Sequence, residues 1–354
     1  MNPADLKTQN RKNPIGVGSS IYFSWILESN IKNTKQTFYH LTVYDESQKP
    51  VWDTGKILSK QSVYIRYEGQ MLSDCSIYNW EVTVWDNHGN EATATAVFET
   101  SILQPSRWSA KWVAAMKNKK RAKKGNPASY FRKSFTLRNN PVKARVYATC
   151  HGIYYLTLNN LRADDRELAP EFTVYKDYLC VQTYDVTKLL KQGDNILDMT
   201  VGDGWYHGGT TKQTYKCFDD RHACLWQLEV TYADGSMETV CSDGEVKTAS
   251  GPITASDLFH GESYDANIKI ENWTPAVIAD FGYDNLVPQD GEPVRPVITL
   301  PIKEIIRTPK DETILDLGQN IAGRLRAKIN IPKGETVTFE HSETLDGQGN
   351  YFNN

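Results

Sequence analysis

The stretch VGDGWYHGG, residues 201–209, sets a tryptophan, a tyrosine and a histidine among glycines at positions 202, 204, 208 and 209. Glycine admits positive φ and lets other atoms approach the backbone closely, so such a stretch either displays its aromatic rings or packs them tightly. A pyranose offers an apolar C–H face and a ring of hydroxyls. A protein that binds it needs an aromatic plate beside fixed hydrogen-bonding groups. Trp205 and Tyr206 supply the plate here, and Asp203 and His207 the polar groups. The competing reading is a bend between strands in which Trp205 plugs a core.

Other chemistries are weaker. Asp203, Asp219, Asp220, Glu262 and Asp265 can be paired as an acid and a base, but among 43 acidic residues a chance pair is cheap, and no catalytic residue is assigned. Six cysteines are too few for a disulfide scaffold in 354 residues. Cys217, His222, Cys224 and Cys241 lack the Cys-x-x-Cys spacing of a zinc site. The net charge of −3 gives no reason to expect nucleic acid, and the cationic run MKNKKRAKKGNPAS has no interleaved aromatics and reads as a solvated loop. No apolar stretch is long enough for a membrane span. The start, MNPADLKTQNRKNP, lacks the apolar centre of a signal peptide. The sequence as written is therefore expected in the cytoplasm, or in the periplasm or outside the cell if an export signal has been removed.

The elements that would position the aromatic stretch are strands. Leu197, Met199 and Val201 alternate with Asp198 and Thr200 and run up to the glycines. In LWQLEVTYADG, Trp226, Leu228, Val230 and Tyr232 alternate with polar residues before an Asp-Gly turn, which predicts a half-buried strand entering a hairpin. SIYFSWIL, YHLTVYD and NWEVTVWD are rich in aromatic and β-branched residues. Leu325 to Ile331 and Val337 to His341 alternate on either side of a PKG turn and predict a second hairpin. The best helix signal, YDVTKLLKQGDN, predicts one or two turns, begun at Asp185 and stopped at Gly193.

Short strands with frequent turns predict an all-β chain of consecutive β-sandwiches. Changes in composition place one sandwich over 1–104, a second over 105–290, and a connector with a partial sandwich over 291–354. In the first, Trp25, Tyr78 and Trp80 read as core, resembling a fibronectin type III-like sandwich in which a tyrosine latches a corner.

The second unit resembles the N-terminal jelly-roll domain of bacterial α-L-rhamnosidases. The resemblance rests on GIYYLTLNN, the LAP turn, VQTYDVT, GDGWYHG and HGESYDA with the NWTPA that follows. DLGQNIAG opens what is similar to the family's next β-domain, and VWDTGKILSKQSVYIRYEG with YNWEVTVWDNHGN fits its preceding Ig-like domain. Two departures stand out. Asn159-Asn160 replaces an Asn-Gly turn, and APEF at 169–172 replaces Ala-Pro-Gly-Trp, so that Phe172 keeps an apolar face without the indole N–H.

The resemblance implies an accessory region that recognises rhamnose-containing glycans or glycosides and scaffolds the enzyme. The catalytic (α/α)₆ barrel, expected in cis and C-terminal, would supply the acid and base. The substrate-binding candidates are Trp205, Tyr206, Asp203, His207, Asn159 and Phe172. No cofactor is required, but related domains bind rhamnose with Ca²⁺, for which Asn159, Asn160, Asp164 and Asp165 are the oxygen donors nearest the turn. The alternative is a structural interaction module that binds no sugar.

Overall fold

The computed structural model describes residues 1–116, 125–208 and 221–353. Cys217 of the weighed zinc set, the acids Asp219 and Asp220, Gly209 and most of the cationic run lie outside them. Among the described residues the chain is almost wholly β, as predicted, and divides into two compact units, 1–294 and 295–354.

The first unit holds two sandwiches. In the N-terminal one, a three-stranded sheet (Asn2–Thr8, Tyr22–Glu28, Ile65–Arg66) faces a sheet built on Gln36–Tyr44, Ile77–Asp86 and Glu91–Glu99. The alternation of Ile77–Asp86 buries Tyr78, Trp80, Val82 and Val84, and Trp80 meets Phe23 of the opposite sheet at 4.7 Å between ring centroids. Tyr78 latches the corner as expected, its hydroxyl accepting the Ser73 N–H at 2.8 Å.

The second sandwich pairs Leu161–Arg162, Ile153–Leu158, Gly193–Gly202, Ser129–Leu137, Lys247–Ala249 and Thr274–Pro275 in one sheet. The facing sheet is centred on Ala223–Thr231, Lys143–His151 and Leu179–Asp185. Phe131, Leu156, Met199, Trp226, Leu228 and Val230 fill the space between them. Ala223–Thr231 is not half-buried as predicted. Its outer face is also covered, because the segment that leaves the first sandwich lies across it: Gln227 accepts the N–H groups of Ser109 and Ala110 at 2.8 and 3.3 Å, and Glu229 pairs with Arg107 at 2.8 Å.

Two further expectations are corrected. YDVTKLLKQGDN makes a single 3₁₀ turn, Thr187–Leu189, and no α-helix. Asp185 does accept the Thr187 N–H at 3.1 Å, but the Asn195 side chain bonds both backbone groups of Lys191, closing the turn before a helical ladder can propagate. The hairpin at PKG does not form either. Glu335 N–H donates to the Pro332 carbonyl at 3.2 Å to make the turn, yet no strand pairing flanks it. Its alternating face (Leu325, Ile329 and Phe339 are each at least 40% exposed) finds nothing within 295–354 to bury against, and a two-stranded ribbon alone is marginal in water. What pairs in that unit is Glu304–Arg307 with Thr313–Asp316, antiparallel.

Candidate functional site

The strand Gly193–Gly202 ends at Asp203, and residues Gly204–His207 form one helical turn instead of an open loop. The glycines serve close packing. A Cβ on Gly202 would overlap the Ser256 side chain, and one on Gly204, which has φ +56°, would overlap Ile153. The aromatic triplet is thus held rigidly and divided between two environments.

Asp203 faces inward and is fully buried. Its carboxylate accepts the His222 Nε2–H at 2.8 Å and the backbone and side-chain N–H groups of Asn126 at 2.9 Å. Burial favours the neutral acid, but these bonds and the imidazole outweigh it and hold the carboxyl below its usual range. His222 Nδ1 in turn lies 2.9 Å from the Ser129 hydroxyl. His207 is buried as well, its Nε2 3.1 Å from the His151 carbonyl. Tyr206 is buried and stacks on the His151 ring at 4.2 Å with an interplanar angle of 11°.

His151 itself is 5% exposed, packed between Tyr206, Trp112 and Phe281. Burial, with a smaller push from His207, drops its pKa to about 3. An unfolded histidine titrates near 6.5, so below that pH the unfolded chain binds a proton that the folded chain refuses, and stability falls as pH drops from about 6.5 towards 3. His151→Phe should flatten this acid dependence, whose maximal slope from one such group is ~1.4 kcal/mol per pH unit. Chemical denaturation at pH 7, 5.5 and 4.5 checks it, the parent losing stability relative to the variant at each step.

Two rings face outward. Trp205 packs one side on the Trp112, Tyr175 and Tyr206 cluster and is half-buried; Phe172 is 64% exposed. Their centroids are 5.9 Å apart, with the planes inclined at 56°. Together they form a shallow apolar platform on a rigid base. Phe172 comes from the APEF loop, fixed by the Tyr154 N–H on the Ala169 carbonyl (2.8 Å) and the Tyr175 hydroxyl on the Glu171 carbonyl (3.0 Å).

The predicted substrate set therefore splits. Trp205 and Phe172 are presented together. Asp203, Tyr206 and His207 are committed to the interior, which corrects the expectation that the whole triplet is displayed. Asn159 is corrected too. It makes the Asn159-Asn160 turn with φ of +51° and +68°, and its amide bonds the Leu189 carbonyl, Asn195 and the Ile196 N–H at 2.9 to 3.0 Å.

Of the four oxygen donors named for Ca²⁺, the Asn159 amide is bonded internally, and Asp164 holds Arg166 through the Arg166 N–H (3.0 Å) and guanidinium (3.3 Å). Among the described residues no three His, Cys, Asp or Glu side chains are placed to hold a metal. In the zinc set, both His222 nitrogens are engaged by Ser129 and Asp203, and Cys224 lies in the core opposite Cys150.

Asn126 and Ser129 had no sequence signal. They reach Asp203 and His222 across 77 and 93 residues, through pairing of the sheet.

Family models match the chain along nearly its whole length: a Rha78A-like N-terminal immunoglobulin domain at 3–104, the α-L-rhamnosidase N-terminal domain at 139–305, and the bacterial α-L-rhamnosidase concanavalin-like domain at 306–354. An α-L-rhamnosidase of Formosa agariphila is 31% identical over 96% of this chain and 40% of its own length. The solved α-L-rhamnosidase from Dictyoglumus thermophilum is 32% identical with a TM-score of 0.74, over 86% of this chain and 37% of that one. The enzyme of Aspergillus terreus is 27% identical with a TM-score of 0.80, over 90% and 39%. The chain thus spans about 40% of the length of the curated relative. Three domain matches in succession, carried on the observed order of sandwiches, place this chain in the α-L-rhamnosidase family, as its immunoglobulin-like domain, its N-terminal domain and the beginning of its concanavalin-like domain.

Proposed function

We propose that these domains form the substrate-recognition and scaffolding part of a rhamnoside hydrolase, with Phe172 and Trp205 as the surface that meets the apolar face of a rhamnose unit. The observation that carries this reading is the exposed Phe172 ring beside the half-buried Trp205 ring, on a closely packed base. Rigid aromatic area costs little conformational entropy on binding. A sugar contact by stacking needs no metal.

The same residues do not perform hydrolysis. An inverting glycosidase needs a carboxylic acid with a raised pKa opposite a carboxylate base. Asp203 has the opposite shift and is sealed against His222, while Glu262 and Asp265 lie exposed on the surface. Among the described residues the only α-helix is the single turn at Gly204–His207, so nothing there corresponds to a helical barrel.

The 354-residue chain is therefore expected to bind L-rhamnose and to release no aryl alcohol from an aryl α-L-rhamnoside. Saturable rhamnose binding, unchanged by Ca²⁺ or chelator, supports the reading. Turnover above the buffer blank that survives repurification would overturn the non-catalytic assignment, and absence of rhamnose binding would favour the purely structural module.

A further inference from the structure

The Phe172 loop is held from behind by a residue far away in sequence. Gln289 follows the edge strand Leu286–Pro288 and is 4% exposed. Four of its bonds run to three separate segments. Its N–H donates to the Val181 carbonyl at 3.0 Å, fixing it to the sheet. Its carbonyl accepts Arg11 Nη2 at 3.2 Å, and Arg11 belongs to the first sandwich. Its side-chain oxygen accepts Arg166 Nη1 at 3.4 Å. Its side-chain N–H₂ donates to the Glu171 carboxylate at 2.5 Å.

Glu171 is the residue immediately before Phe172, and it sits at φ +77°, a conformation that a residue with a side chain adopts only where its surroundings enforce it. Burial pushes its carboxyl pKa up, against the nearby Arg166 and Arg11. The first sandwich also lies tightly on this region. A Cβ on Gly16 (φ +74°) would overlap the Thr183 side chain, and one on Gly18 would touch Asp290 at 3.5 Å.

We propose that the first sandwich is a positioning element for the sugar platform, acting through the Arg11–Gln289–Glu171 hydrogen-bond chain to hold the Phe172 loop in register with Trp205. The proposal rests on the reading of that platform as the rhamnose surface. Arg11, Gln289 and Glu171 are positioning residues under it; none touches the ligand.

The test uses the full chain and three variants, Arg11→Met, Gln289→Met and Glu171→Gln, the last retaining the acceptor for the Gln289 amide. Hydrogen exchange without sugar is read at Glu171, Tyr178 and Leu179, whose N–H groups bond the carbonyls of Leu168, Val174 and Asn285. Losing one hydrogen bond to the loop should raise exchange there by about five- to tenfold in Arg11→Met and Gln289→Met, with Ala223–Thr231 unchanged and Glu171→Gln close to the parent. Rhamnose affinity should fall by a similar factor in the first two variants alone.

Unchanged exchange at the loop in Arg11→Met, or a rise spread evenly over both sheets, would overturn the positioning role. A parent protein that takes up no rhamnose defeats the reading of the platform instead, and the exchange comparison then decides the positioning role by itself. Should Gln289→Met fail to fold, Arg11→Met carries the test, since it removes the bond to the Gln289 carbonyl and leaves the Gln289 side chain and its bonds in place.

Discussion

Glu99→Ala is expected to cost about 3–5 kcal/mol and to uncouple the two sandwiches, the range found when one partner of a buried ion pair is removed. Glu99 ends the strand Glu91–Glu99, and its side chain is 4% exposed. It accepts Arg145 Nε and Nη2 at 3.1 to 3.2 Å and Lys143 Nζ at 3.2 Å, both from the strand Lys143–His151 of the second sandwich. Its backbone N–H and carbonyl are tied to Pro14 and Val17 at 2.9 Å. Deleting the carboxylate leaves an Arg145 side chain that is 11% exposed with the surface carboxylate of Asp185, 2.8 Å away, and the neutral acceptors of Ala144 and Thr187 to compensate.

Around this pair lies an apolar seam of Ile102, Tyr147 and Val181. The parent should therefore melt in one transition over residues 1–294, and Glu99→Ala in two, the first sandwich separating at lower temperature. Lys12→Ala, which removes only an exposed ion pair to Asp5, is the control and should melt like the parent. A single unshifted transition in Glu99→Ala would show that the sandwiches are joined by the apolar seam alone.

The fold was legible in the sequence wherever one face of a strand is buried and the other is wet. Tyr78 to Val84 alternates residue by residue in burial as its sequence does, and the Asp234-Gly235 turn closes the predicted hairpin. The reading failed where a third body decides. Gln227 and Glu229 are polar, so Ala223–Thr231 looked half-exposed, but the interdomain segment supplies their partners. The strand pattern at Leu325–Phe339 is sound as local propensity, and it lacks a surface to fold against within its own unit.

At the site, the spacing draws attention to the glycines and the Trp-Tyr-His triplet, but one-dimensional spacing does not tell a displayed ring from a packed one. Tyr206 is buried by His151 and Tyr175, which lie 55 and 31 positions away along the chain. Phe172 and Trp205 meet because Ile153–Leu158 holds both the APEF loop and the end of Gly193–Gly202, through the Tyr154–Ala169 bond and its own strand pairing. The Arg11–Gln289–Glu171 chain spans 278 residues and leaves no local trace.

In the function proposed here, Trp205 with Phe172 meets the sugar. The most direct measurement titrates the parent and Trp205→Ala with L-rhamnose by calorimetry and melts both proteins. Trp205 is half-buried against the Tyr206 cluster, so its removal should cost clearly less than the ~3–5 kcal/mol of a fully buried aromatic, leaving a folded protein with a modestly lowered Tm. Aromatic anchors dominate small apolar contacts, so rhamnose binding by this folded variant should fall by at least tenfold. Affinity equal to the parent's, together with a stability loss of the full core magnitude, would contradict the account and make Trp205 a core plug.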